Sequence, residues 1–256
     1  MAVPLNEAFM SSKEVALITG ANKGIGLAAA RQLGEQGYTV WLGCRDAARG
    51  EAAVSELRNA GVDAQLLILD VADTQSVVAA KEKFQEQAGT LDVLINNAGI
   101  SLGGVPVRVT EETVDDMRAM FEVNTLGPMR VTQAFLPLLR RSKAARIVMV
   151  SSTLGSISNT MDTASPIWNA GYGGYSATKS ALNMLTAKLA KELLPEGIRV
   201  NAVNPGYTAT DLNDHKGYRT VEAAAKVIVE LAAFNVLGPT GGFFHDGHSH
   251  QNRHPW

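Results

Sequence analysis

Tyr175 and Lys179 stand four residues apart in the run Gly174-Tyr175-Ser176-Ala177-Thr178-Lys179, which puts them on one face of a helix. A phenol ionises near pH 10, so it is a weak proton donor or acceptor at neutrality unless a fixed positive charge stabilises its phenolate. The Lys179 ammonium can supply that charge. Ser152 lies at the end of an apolar strand-like run upstream, and its hydroxyl can hydrogen-bond the oxygen that gains or loses the proton. The three groups together suit the interconversion of a carbonyl and its alcohol. Such a reaction needs a hydride, and therefore a carrier for it.

A site for the carrier is readable near the N-terminus. Val15-Ala16-Leu17-Ile18 reads as a short strand, Thr19-Gly20-Ala21-Asn22-Lys23-Gly24-Ile25-Gly26 as a glycine turn, and Ile25, Ala28, Ala29 and Leu33 as the apolar stripe of the following helix. Glycines let main-chain amides approach a pyrophosphate, and the helix end adds partial positive charge there. The Gly-x-x-x-Gly-x-Gly spacing departs from the common dinucleotide fingerprint and by itself is also compatible with a plain tight turn.

Two further runs accompany it: Leu91-Asp92-Val93-Leu94-Ile95-Asn96-Asn97-Ala98-Gly99, and Val200-Asn201-Ala202-Val203-Asn204-Pro205-Gly206-Tyr207-Thr208-Ala209-Thr210. With the glycine turn and the Ser, Tyr and Lys, these resemble the short-chain dehydrogenase/reductase family over nearly the whole chain. Asn22 to Leu27, Arg45-Asp46 with Arg49-Gly50, and the tail from Gly238 to Trp256 are similar to the carbonyl reductase branch. That branch includes animal carbonyl reductases and plant reductases of terpenoid and alkaloid ketones.

The resemblance implies roles for particular residues. Ser152, Tyr175 and Lys179 would be catalytic, with Asn124 anchoring a water that relays protons to Lys179. Gly20, Asn22, Lys23, Gly24, Ile25 and Gly26 would cradle the cofactor. Asp70 and Val71 would meet the adenine, Asn97, Ala98 and Gly99 would support its ribose, and Tyr175 with Lys179 would hold the nicotinamide ribose. Pro205, Gly206, Thr208 and Thr210 would hold the carboxamide and present the pro-S hydrogen. Ser151 is the alternative to Ser152; strand alternation puts the two on opposite faces, and the family motif assigns the second.

Cofactor choice is read at the end of the second strand. NAD-specific folds place a carboxylate there, which would repel a 2'-phosphate. Here Cys44 is followed by Arg45, and Lys23 lies in the glycine turn, so two cations can flank a phosphate. The expected cofactor is NADP(H), with Asp46 as the one residue that could blur the preference.

The elements that must position these groups alternate strand and helix. Strands are expected at Val15 to Thr19, Thr39 to Cys44, Ala64 to Leu69, Val93 to Asn96, Arg146 to Ser151, Arg199 to Val203 and Gly242 to His245. Helices are expected near Ile25 to Gln36, Ala47 to Ala60, Thr74 to Ala88, Glu111 to Arg140, Tyr175 to Leu194 and Val221 to Ala233. This is the pattern of an α/β, Rossmann-type doubly wound parallel sheet of seven strands, with the site beyond the strands' carboxyl ends. Asn124 falls inside the fourth helix, where asparagine needs a local reason.

The 256 residues are 46% hydrophobic, include 24 glycines and show no linker or repeat, so one domain is expected, with Met1 to Lys13 as a short tail. A formal charge of -2 argues against nucleic-acid or anionic-membrane partners. A single cysteine and no targeting or membrane-spanning pattern give the expectation of a cytoplasmic protein. No metal is expected, because the tail histidines His245, His248, His250 and His254 match no zinc spacing. Trp168 and Trp256 read as pocket walls or tail anchors. The insert from Ser158 to Ala170 leaves three readings open: a wall of the substrate pocket, a cover over a helical dimer face, or a solvated excursion.

The expected partner is a small-molecule carbonyl substrate, with homo-oligomer and monomer both open. Reduction of an activated C=C bond and non-catalytic sensing of NADP are the competing functions.

Overall fold

The computed structural model describes residues 13–102, 108–234, 237–245 and 253–256. Seven strands form one sheet: β1 (Val15–Thr19), β2 (Thr39–Cys44), β3 (Ala64–Ile68), β4 (Val93–Asn96), β5 (Arg146–Val150), β6 (Arg199–Val203) and β7 (Phe243–Phe244). Every pairing is parallel and the order is β3-β2-β1-β4-β5-β6-β7. The order runs outward in both directions from β1 and β4, so their carboxyl ends flank the switch point where a ligand binds in an open α/β sheet.

Strand alternation sends successive residues into two cores. Ala16 and Ile18 of β1 join the core that also holds Leu33, Leu57 and Ile228. Leu17 points the other way, into the core of Phe84, Phe135 and Leu189. The first core packs under α1 (Gly24–Glu35), α2 (Ala47–Asn59) and α8 (Val221–Ala232); the second under α3 (Thr74–Gln87), α5 (Gly127–Leu139) and α7 (Gly173–Leu193). Two fully covered faces account for the near-continuous apolar runs in the strands.

Two expected boundaries change. The anticipated helix from Glu111 to Arg140 is broken: α4 covers only Val114–Phe121, a π-helical turn occupies Glu122–Leu126, and α5 follows. Thr113 sets the start by accepting from the Asp116 amide at 3.0 Å. Pro128 has no N–H to return to the Asn124 carbonyl, so the regular ladder cannot pass through this point, and a π-bulge absorbs the defect. The insert expected as a loop contains a short helix, α6 (Ile157–Met161), capped by the Ser156 side chain accepting from Asn159 N at 3.2 Å. Smaller differences are that β3, β5 and β7 end one residue earlier than expected, and β7 also starts one later. Of the N-terminal tail only Lys13 lies among the described residues, and His248 and His250 lie outside them. No described helix is long and apolar enough to cross a membrane.

Candidate active site

The glycine turn closes β1 onto α1. Gly20 and Gly24 have φ of 66° and 59°, a region open to glycine. A Cβ on Gly26 would come within 2.6 Å of Asn97 Nδ2 and 2.8 Å of the Gly20 carbonyl. Asn97 is the reason the approach is so tight. Its amide donates to the carbonyls of Thr19 at 2.9 Å and Gly20 at 3.2 Å, while Thr19 Oγ1 accepts from the main-chain N–H groups of Asn97 and Ala98, both at 3.0 Å. The end of β4 therefore clamps the turn.

The mouth of the turn fits a dinucleotide. A Cβ on Gly24 would meet only Thr210 Cγ2, at 3.7 Å, and α1 starts with no side-chain cap and no acid in its first turn. Its first amides thus have no partner within the helix, which is the arrangement that binds a pyrophosphate.

The two cations of the cofactor reading are placed differently. Lys23 forms an exposed ion pair with Asp211, in the segment after β6, and this holds the Asp211 carboxyl below its usual range. Arg45 is exposed and forms no ion pair among the described residues. Asp46 has work of its own as the N-cap of α2, accepting from Arg49 N at 3.0 Å. Cys44 is buried, and desolvation pushes its thiol up to about 12, so it carries no charge at neutrality. Asp70 Oδ1 accepts from Ala72 N at 2.9 Å, shaping the turn after β3, and Val71 is buried, with Gly127 allowing its close approach.

At the end of β5 the alternation separates the two serines. Ser151 is buried and donates to Asn183 Oδ1 at 2.6 Å. Ser152 caps the 3-10 turn Thr153–Gly155 by accepting from Leu154 N at 3.2 Å, and its hydroxyl lies near enough to the Tyr175 phenol to favour the phenolate. Gly155 is the contact that sets this turn against α7, since a Cβ there would lie 2.7 Å from Lys179 Cβ.

Lys179 Nζ lies 5.6 Å from the Tyr175 ring centre and donates to the Val150 carbonyl at 2.8 Å. Burial lowers Lys179 to about 8. Burial also raises Tyr175 to about 12, against the opposing effect of the Ser152 hydrogen bond. This corrects the expectation that Lys179 depresses the phenol. In the protein alone desolvation of the phenolate wins, and Tyr175 keeps its proton at neutral pH.

Asn124 explains itself through the π turn. Its Oδ1 accepts from Ile100 N at 2.8 Å, and its Nδ2 donates to Ile100 O at 2.8 Å and to Thr178 Oγ1 at 3.1 Å. Thr178 Oγ1 in turn donates to the Tyr175 carbonyl at 2.7 Å. Asn124 so ties the segment after β4 to the helix carrying Tyr175. A Cβ on Gly99 would meet Asn124 Oδ1 at 3.4 Å and Lys179 Nζ at 3.7 Å, which puts both groups around one small space.

The segment after β6 folds onto itself. Thr208 is buried with its hydroxyl 3.1 Å from the Gly206 carbonyl and 3.3 Å from that of Pro205. Thr210 caps a short turn in a reciprocal arrangement with Asn213. Met161 and Trp168 of the insert are exposed, as is Ile157 just before it. Trp256 anchors the tail, stacked on Phe243 with ring centres 5.6 Å apart. Among the described residues no three His, Cys, Asp or Glu side chains gather as metal ligands.

Several contacts of the site were not foreseen from sequence. Glu112 Oε2 accepts from Gly174 N at 2.6 Å and so holds the first turn of α7. Asn204, seen only as part of a motif, donates to Thr153 Oγ1 at 2.6 Å. His254 reaches the same hydroxyl at 3.2 Å. No local pattern announces contacts across 50 to 100 residues.

The short chain dehydrogenase family model matches residues 14–219. The chain belongs to this family of oxidoreductases. It is 37% identical to short-chain dehydrogenase anuI of Penicillium roqueforti over 229 residues, 86% of this chain and 89% of that protein. It is 34% identical to (+)-neomenthol dehydrogenase of Arabidopsis thaliana, covering 90% of this chain and 95% of the relative. Among solved structures, NADPH-bound carbonyl reductase from chicken fatty liver superposes with a TM-score of 0.82 at 28% identity, over 95% of this short-chain dehydrogenase and 99% of that chain.

Proposed function

We propose that the protein is an NADPH-dependent reductase of ketones or aldehydes, able to run in reverse as an alcohol dehydrogenase. The observation that carries this reading is the meeting of Ser152, Tyr175 and Lys179 at the end of β5, with Lys179 Nζ 5.6 Å from the Tyr175 ring centre and burial keeping the phenol protonated at neutral pH. A loaded phenol is the form that reduction requires, because the oxygen of a carbonyl accepting hydride gains negative charge and must be protonated. NADPH, when bound, supplies the hydride. Ser152 and Tyr175 then orient the carbonyl oxygen and stabilise its developing charge, and Tyr175 passes its proton to it. Lys179 restores that proton, with the space between its ammonium and Asn124 Oδ1 as the relay position for a water. Lys179 and Tyr175 also hold the nicotinamide ribose.

The glycine turn and the first amides of α1 receive the pyrophosphate, and Arg45 reads the 2'-phosphate with Lys23 beside it. Asp70 and Val71 meet the adenine, Asn97 to Gly99 support its ribose, and Pro205, Gly206, Thr208 and Thr210 hold the carboxamide. Supporting the cofactor reading are the NADPH carried by the chicken liver neighbour and the absence of an acid at Cys44 and Arg45, where it would repel a phosphate.

The test is oxidation of NADPH, followed by absorbance, with a panel of ketones, aldehydes and α,β-unsaturated ketones, and product analysis by mass and NMR. Alcohol products support the proposal. A saturated ketone as product would replace it with C=C reduction, and tight NADPH binding with no turnover of any substrate would point to a sensor.

A further inference from the structure

The chain beyond β7 returns to the active site. Arg253 bridges Phe244 in antiparallel fashion, the His254 N–H donates to the Phe243 carbonyl at 2.6 Å, and the His254 ring stacks on the Phe243 ring with centres 5.0 Å apart. This fixes where the imidazole points. Its Nε2 lies 3.2 Å from Thr153 Oγ1 and 3.3 Å from Asn204 Nδ2, and its Nδ1 lies 3.1 Å from the Asn159 amide. Thr153 follows Ser152 directly. Asn204 Oδ1 accepts from Gly206 N at 3.2 Å, so the second partner of the ring sets the segment assigned to the nicotinamide.

We propose that His254 is a positioning residue of the active site, whose Nε2 accepts from Thr153 and Asn204 and thereby fixes the Ser152 turn against the Gly206 segment. The inference rests on the reductase reading above for its effect on turnover, whereas the tie itself stands on the contacts. Donor and acceptor counting supports it. The Asn204 amide is pinned, its Oδ1 accepting from Gly206 N and its Nδ2 donating to Thr153, so Nε2 must be the accepting nitrogen and the ring proton sits on Nδ1; the Asn159 amide, which stands with Nδ2 towards Nδ1 and has no other side-chain bond among the described residues, takes that proton on its oxygen once turned by 180°. A protonated ring would turn an N–H against the Asn204 amide hydrogens. Burial, with His245 beside it, lowers His254 to about 4, which keeps the ring in the accepting form at neutrality. The same strap also fastens the insert, because the Trp256 main-chain oxygen accepts from Ser158 Oγ at 3.1 Å and Ser156 Oγ at 3.4 Å. The tail, the insert and the serine turn thus form one hydrogen-bonded unit around a side chain outside the glycine turn and the Ser-Tyr-Lys set.

The experiment compares His254→Leu, which keeps bulk but loses the acceptor, with His254→Gln, whose amide oxygen can replace Nε2. Full-length protein is used throughout. Steady-state kinetics at saturating NADPH should show kcat for ketone reduction falling about 10- to 100-fold in His254→Leu, the scale expected for sub-ångström misplacement of a reacting group. NADPH affinity by fluorescence titration should be unchanged, and Gln should restore most of kcat. Thr153→Val should give a loss that does not add to that of His254→Leu, because both remove the same bond. Amide hydrogen exchange should rise at residues 152–155 and 206 in the Leu variant and return to wild-type values with Gln. A Leu variant with wild-type kcat and unchanged exchange overturns the proposal, and so does a Gln variant as impaired as Leu. If the wild-type protein reduces no carbonyl, the reductase reading fails by itself, and the exchange comparison still decides whether His254 holds the turn.

Discussion

At the end of β1 the glycine turn is held by main chain: Asn97 and Thr19 spend their polar atoms on the backbone of residues 19, 20, 97 and 98, and Gly26 fits because it lacks a Cβ. At the end of β5 the serine turn is held by side chains reaching across the fold, with Thr153 bonded to Asn204 and His254, and Ser151 to Asn183. The first region must offer amides to a phosphate, so its shape is a matter of excluded volume. The second must deliver one proton to one oxygen, so its precision rests on individual donors and acceptors. The turn should therefore fail when atoms are added, and the serine side when they are removed.

The largest effect is expected on the serine side. Tyr175→Phe keeps the ring and removes the transferable proton, and stopped-flow or steady-state assays should show turnover down by about 10²- to 10⁴-fold with NADPH binding retained. Turnover near wild type would take Tyr175 out of the chemistry. Arg45→Asp should shift the ratio of catalytic efficiencies from NADPH towards NADH by about tenfold or more, since a charged hydrogen bond is worth about 1.5–3 kcal/mol and the new carboxylate repels phosphate. An unchanged ratio would assign the phosphate to another residue.

Gly26→Ala tests the other half of the comparison by adding one methyl group. The new Cβ would press on Asn97 Nδ2 and the Gly20 carbonyl, so thermal or urea unfolding should show a loss of about 1–3 kcal/mol together with weaker NADPH binding. Undiminished stability would mean that the turn relaxes freely.

A pH profile sharpens the role of Lys179. Its ammonium persists at neutrality and is lost as pH rises through about 8, so reduction should decline there, and a Lys179→Met variant should lack that limb. The sign separates this from unfolding. With a folded value below the ordinary 10.5, the unfolded chain binds more protons between about 8 and 10.5, so the Lys179 contribution to stability improves as activity falls. A limb that survives in Lys179→Met would belong to another group. The smallest effect is expected for Lys23→Ala. Its ion pair with Asp211 is exposed on both sides, so the denaturation midpoint should barely move, with a smaller change in cofactor preference than Arg45→Asp.

The sequence by itself determined the parts of this protein whose causes are local. Strand and helix periodicity follows from which faces are covered: β1, β2, β4 and β6 have the expected bounds, and β3, β5 and β7 depart from them by one residue at an end. The Gly-x-x-x-Gly-x-Gly turn and the Tyr-x-x-x-Lys pair are likewise readable, because backbone freedom and helical spacing are properties of neighbouring residues. Strand alternation separated Ser151 from Ser152, and the family resemblance chose between them.

Tertiary structure decided what depends on distant partners. The π turn at Asn124 arises where Pro128 withholds an N–H and Ile100 offers both of its main-chain groups. Tyr175 keeps its proton because burial outweighs the opposing effect of the Ser152 hydroxyl, and burial is a sum over elements that no local pattern reports. Lys23 meets Asp211 across 188 residues, and His254 meets Thr153 across 101. A hydrogen bond needs its partners within about 3 Å whatever their separation along the chain, and only the folded path of the chain sets that distance.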